Sequence, residues 1–380
     1  MFRTALPKIL IIIAICVCPA AQAAFGQAKK SGEVDVTKCW AYPIAEEASK
    51  LGSDGVRVYI GGSGAKIEAL SVDGKKMWAT ELGGEISSNL LSTDAGLFLV
   101  TATVADKEPS SNVLRSLSRD TGITNWTAKM PDAGEHFIGT YKDSIVVVSK
   151  NGVIQSLDAK SGSPKWKREI AEGFAARPAF GKEKAIVAST GKQVFVISLA
   201  SGEIDLMRKI PLDVSAVGQS GYGDVVVGDE LGNTAFFVGA AEKTYWKFRS
   251  GGEISAIFST GSHDFITSHA NFAYYLSQRS GSVAWKKRLS GRVSQIAMYA
   301  DRFVIITSFE DHGAVLLDLA TGKVAGQIAL TADETVTHDP VISDGLIFML
   351  TNRAAYAFSL SGCPAKKDGG PDLSSKRPPL

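Results

Sequence analysis

The sequence predicts an all-β fold: an eight-bladed β-propeller of four-stranded antiparallel blades, its ring closed by an N-terminal strand that pairs with the last blade. Three observations predict it. A unit typified by residues 153–170 runs through alternating residues, a Ser161-Gly162 turn, Trp166 four residues past the glycine, and a charged strand; it recurs at Gly74 with Trp78, Gly122 with Trp126, and Gly281 with Trp285. A marker series Trp40, Trp78, Trp126, Trp166, Leu206, Trp246, Trp285 and Ala325 advances by about 40 residues per step, the period of a propeller blade. Finally, the last copy stops at Cys363, just where the others turn into their Trp strand, while Trp40 begins the chain as a Trp strand with no turn before it.

Within one copy the strands follow from alternation and turn chemistry. In the fourth, residues 175–180 form a short strand, 185–189 a β-branched buried strand, 194–199 an alternating strand and 206–210 the closing strand, with glycine or lysine turns between. The buried second strand recurs at 56–60, 97–101, 145–149, 225–228, 265–268, 303–307 and 346–350, which brings the blades to eight. Three stretches depart from the pattern. Residues 45–51 (AEEASKL) occupy the innermost strand of blade one and are polar for it, so a distorted strand or a helical turn is expected. Residues 240–243 replace the glycine turn of blade five, and residues 104–112 add a charged loop to blade two.

The chain opens with Arg3 and Lys8, an apolar run at 9–17 and Ala21-Gln22-Ala23, the order of a secretory signal peptide. Ile15 and Val17 precede Cys16 and Cys18, where a lipoprotein would carry a small residue. The expected organisation is a signal peptide at 1–23, a flexible lead at 24–38, the propeller at 39–363 and a disordered Pro- and Gly-rich tail at 364–380. Cleavage near Ala23 would remove two of 41 basic residues and none of 39 acidic ones, leaving 39 against 39. Zero net charge argues against general nucleic-acid or membrane-surface binding. A periplasmic or secreted monomer that does not span the membrane is expected. Only Cys39 and Cys363 remain after cleavage; they stand at the two ends of the broken hairpin, where antiparallel neighbours are close enough for a disulfide.

The segments ALSVDGKKMW, SLSRDTGITNW, SLDAKSGSPKW and YLSQRSGSVAW, with Ala176-Arg177-Pro178-Ala179 and His338-Asp339-Pro340-Val341 on inner strands, resemble the repeats of pyrroloquinoline quinone (PQQ)-type propellers. The resemblance implies two alternatives. One branch, the quinoprotein dehydrogenases, holds a quinone with calcium, is longer, and often carries adjacent cysteines that are absent here. The other, BamB-like branch implies a non-enzymatic scaffold of this size, without cofactor, with envelope or outer-membrane proteins as partners and a place in outer-membrane protein assembly. A glycan-binding propeller is a third reading.

Loops joining the second and third strands share one face with those joining successive blades. That face is expected to gather Asp106, Lys107 and Glu108 from the insertion, Glu310, Asp311 and His312 from blade seven, and Asp333, Glu334, His338 and Asp339 before blade eight. The first six form the candidate interaction loops, since repeat proteins place insertions on binding faces. The same acids with His could hold a cation, although no ligand spacing supports it. No Gly-x-Ser-x-Gly elbow or phosphate loop is present, so no catalytic residue is assigned.

Overall fold

The computed structural model describes residues 33–44, 47–103, 111–220, 224–238, 244–310 and 312–364. The expected signal peptide, most of the expected lead, the insertion at 104–110, the blade-five turn at 239–243, Asp311 and nearly all of the expected tail lie outside the described residues. Within them the expected architecture is found: eight antiparallel sheets, seven of four strands, the eighth with its innermost strand split into Glu85–Ile86 and Leu91–Thr93. Second strands are buried on both faces, as Ser144–Ser149 and Phe303–Ser308 show along their whole length. Each blade is thus a sheet with two apolar faces, which requires a blade on either side. Clusters of buried Val, Ile, Leu and Phe supply this contact at every seam, such as Phe98 and Val100 of blade two against Ile145 and Val147 of blade three.

The Trp repeat has one mechanical meaning. Trp126 of blade two lies over Gly162 in the hairpin turn of blade three, and a Cβ on that glycine would stand 2.6 Å from the indole. Gly162 also has φ +71°, a conformation costly for residues with a Cβ. One residue type therefore meets two demands at once. The same pairing joins Trp40 to Gly74, Trp78 to Gly122, Trp166 to Gly202, Trp246 to Gly281 and Trp285 to Gly322. Each indole except that of Trp166 also donates its Nε1–H to a carbonyl of the neighbouring blade, as Trp126 does to Ala159 at 3.1 Å. The Trp series therefore marks blade packing and is not a stacking platform for ligands.

The residue before the Trp, or before Leu206 and Gly326 that stand in its place, is a β-bulge in seven blades, skipped by the ladder between the third and outer strands. This register corrects one marker. Ala325 is the bulged residue of blade seven, and Gly326, paired with Leu316, holds the position that Trp285 holds in blade six. Counting by 40 from Trp285 misses it; counting four from Gly322 finds it.

The ring closes as expected. Thr37–Pro43 pairs with Ala354–Ser359 as the outer strand of blade eight, Trp40 opposite Ala357. Cys39 is the bulged residue of that strand, unpaired in the ladder, and it bonds to Cys363 with Cα atoms 5.3 Å apart. The lead boundary at Cys39 needs correction, because the strand starts at Thr37 and Val34 already donates its N–H to Ala325 at 2.8 Å. Val34 and Val36 lie against Gly326, filling the space that an indole fills elsewhere. Residues 34–38 therefore belong to the ring. Blade one starts with a strand, Ala48–Ser53, broken in register between Ala48 and Lys50, so the distorted strand is found and not the helical turn.

Candidate channel mouth and loop face

Innermost strands surround an axial channel of about 1330 Å³. Two of them are cut short by proline, which offers no N–H to a ladder: Pro178 precedes Ala179–Phe180 and Pro340 precedes Val341–Ser343. Their preceding residues, Arg177 and Asp339, are released from pairing and project at the mouth. These belong to blades four and eight, on opposite sides of the ring, yet Arg177 Nη1 meets Asp339 Oδ2 at 3.1 Å. The ion pair spans the channel. The other carboxylate oxygen accepts the Ile296 N–H of blade seven at 3.0 Å, so one side chain ties three blades together.

His338 and Lys50 stand in the same field. Burial holds the His338 imidazole below its usual pKa, its own Asp339 opposes this, and Lys50 and Arg177 reinforce it. Lys50 is likewise lowered, first by burial, with Glu135 acting against and Arg177 with it. His338 is thus neutral at neutral pH, its Nδ1 2.8 Å from the Asp339 carbonyl. The mouth is a polar ring over a mixed lining, in which Leu51, Phe137 and Phe258 stand among polar residues such as Asn89, Gln219 and Gln295.

A second polar chain crosses the loop face between blades six and seven. His269 Nδ1 lies 2.7 Å from both Glu253 Oε2 and Arg292 Nη2, and Glu310 Oε2 accepts the Arg292 N–H at 2.9 Å. A single ring nitrogen serves one of its two neighbours at a time. Near the insertion, buried Asn112 donates to the Gly134 carbonyl at 3.0 Å and lies 3.3 Å from Nδ1 of buried His136. Burial lowers the His136 pKa against the pull of Asp132.

The expected face is therefore only partly assembled. Asp106, Lys107, Glu108 and Asp311 lie outside the described residues. Glu310 is engaged by Arg292, and His312 is exposed with its carbonyl bonded to Leu330. Asp333 pairs with Arg353 at 2.7 Å. Glu334 is a structural pin: it is buried and accepts hydrogen bonds from Tyr356 at 2.6 Å, Thr331 at 2.8 Å and Thr351 at 3.0 Å. Burial alone would raise its carboxyl, but those donors outweigh it and hold the pKa down, while the same contact pushes Tyr356 up to about 12 after its own burial. Among the described residues no three His, Cys, Asp or Glu side chains converge as a metal site. Sequence reasoning missed Lys50, Arg177, Glu253, His269 and Arg292. For Arg177 a signal existed, since Ala176-Arg177-Pro178 and His338-Asp339-Pro340 occupy the same place in copies half a ring apart.

A family profile described as outer membrane protein assembly factor BamB matches residues 29–146, 110–209 and 150–362. The chain belongs to this family. BamB from Moraxella catarrhalis superimposes with a TM-score of 0.64 at 12% identity, covering 86% of this chain and 98% of that one. A computationally designed protein, Ika8, gives 0.70 at 12% identity over 85% and 99%. At such identity these two likenesses concern the fold alone. No match was found among curated protein sequences.

Proposed function

We propose that this protein is an exported, non-enzymatic scaffold of the cell envelope that binds other envelope proteins in outer-membrane protein assembly. The observation that carries the reading is the family match, which spans the ring from residue 29 to residue 362. The disulfide between Cys39 and Cys363 supports an oxidising compartment, where such bonds persist. No helix among the described residues is long and apolar enough to cross a membrane.

The quinone alternative draws less support from the residues present. A calcium-held quinone at the channel mouth would need free carboxylates there. Asp339, the carboxylate at the mouth, has one oxygen on Arg177 and the other on the Ile296 N–H. That carboxylate does not fit a cofactor-held metal without rearrangement.

Crosslinking of the tagged full chain in living cells is expected to recover outer-membrane assembly proteins in fixed stoichiometry. Recovery of none, together with a stoichiometric spectral change on adding quinone and calcium to the purified protein, would reverse the choice.

A further inference from the structure

Near-zero net charge conceals a local imbalance on the circumference. In each outer strand the last residue and the one two before it point outward, and the ladder register identifies equivalent positions from blade to blade. Blades four to six place Met207 and Lys209, Lys247 and Arg249, and Lys286 and Arg288 there, all exposed: five cations and no acid in six positions. Blades one, two, three and seven place Ala79 and Glu81, Thr127 and Lys129, Lys167 and Glu169, and Gln327 and Ala329. These eight positions carry two cations and two acids. The imbalance is confined to three consecutive blades.

Among the described residues none of the five cations makes an ion pair, whereas Lys167 of blade three meets Glu169 at 2.5 Å. Lys286 instead covers the Phe272 ring at 4.0 Å. Lysine on an exposed strand edge has an ordinary use, which is to block pairing with another edge. That use would call for cations on every outer strand, and blade seven, with Gln327 and Ala329, has none. Large apolar side chains are also exposed on the same strands: Met207 at 61%, Val283 at 45% and Ile204 at 39%. Cations with flexible apolar stems around exposed apolar tips suit the boundary between lipid headgroups and acyl chains.

We propose that the outer rim of blades four to six is a peripheral membrane-binding surface for anionic phospholipid headgroups. The rim is formed by the outermost strands of three successive sheets, so its cations make one continuous positive edge with blade five at its centre. Lys209, Lys247, Arg249, Lys286 and Arg288 would lie against the phosphates, and Met207 and Val283 would dip among them. This is independent of the protein partner and of the channel.

Cosedimentation of the full chain with phosphatidylcholine vesicles, with and without phosphatidylglycerol, tests it. Each Lys or Arg near an anionic surface contributes about fivefold to partitioning. Binding is expected only with the anionic lipid, weakening steeply with salt. The combination Lys247→Glu, Arg249→Glu and Arg288→Glu is expected to lower partitioning by at least about a hundredfold. Lys129→Glu with Lys323→Glu, on blades two and seven, should leave it nearly unchanged. If the triple variant does not fold, Met207→Ser supplies a milder test with an expected severalfold loss. Failure to bind anionic vesicles at low salt, an equal loss in the control variant, or binding to soluble polyglutamate without binding to vesicles would each overturn the proposal.

Discussion

The seam between blades two and three and the seam between blades seven and eight solve one packing problem with different parts. At the first, a single indole, Trp126, covers Gly162 and reaches the Ala159 carbonyl. At the second, blade seven has Gly326 where the indole belongs, and the facing turn, at Gly362, has nothing within 4 Å of where a Cβ would stand. Val34 and Val36 supply the apolar volume, the Val34 N–H bonds to Ala325, and the Cys39–Cys363 disulfide joins the chain ends. Glu334 adds a buried acceptor for Tyr356. An ordinary seam is local and built by one continuous chain. The closing seam needs both ends of the chain, and a Trp there would compete with the segment that completes the ring.

The largest way to break this comparison is to open the clasp. Reduction, or Cys39→Ser with Cys363→Ser, is expected to cost about 2–5 kcal/mol, since the bond closes most of the chain into one loop. Calorimetry of the oxidised and reduced protein measures it. Trp126→Ala should follow at about 2–3 kcal/mol, below the full range for a buried Trp because this side chain is half-buried. The same cut made at blade seven has no indole to remove. There Val34→Ser with Val36→Ser is the counterpart, with about 1–2 kcal/mol expected from two half-buried side chains. Denaturant titration resolves both, and a loss at Trp126 with none at Val34 and Val36 would show that the lead does not stand in for the indole.

The smallest effect is pH-dependent and falls on one seam only. The Glu334 pKa is lowered in the folded state, so its contribution is complete above the usual glutamate pKa of about 4.3 and is lost as pH falls through the lowered value. Glu334→Gln should remove that component of acid sensitivity. Thermal melts from neutral to acidic pH would show the wild-type and variant curves converging as pH drops.

Much of this architecture was readable because a propeller repeats its chemistry. A turn glycine and a Trp four residues later recur often enough to count blades, locate the missing outer strand and bring Cys39 to Cys363. Where the repeat loses its marker the pattern misleads: Gly326 has no side chain to announce itself, so a count by period lands on Ala325, and nothing in the spacing points to the role of Val34 and Val36. The candidate site was less legible for a related reason. Arg177 and Asp339 are 162 residues apart and meet only because the ring brings blades four and eight across one axis. Glu253 and Arg292 hold the same place, just before the innermost strands of blades six and seven, but their residue types differ, so no repeated side chain announces their meeting at His269. Glu334 has the sequence surroundings of a surface acid, because neither its burial nor its four donor groups can be read from neighbours in the chain.

Hydrogen–deuterium exchange on the oxidised and reduced protein tests most directly whether the ring is closed by its two ends. Closure at blade eight predicts that reduction speeds exchange in Thr37–Pro43 and Ala354–Ser359 while Thr124–Lys129 and Pro164–Glu169 stay protected. Unchanged exchange in the first pair of strands, or an equal rise in all four, would contradict it.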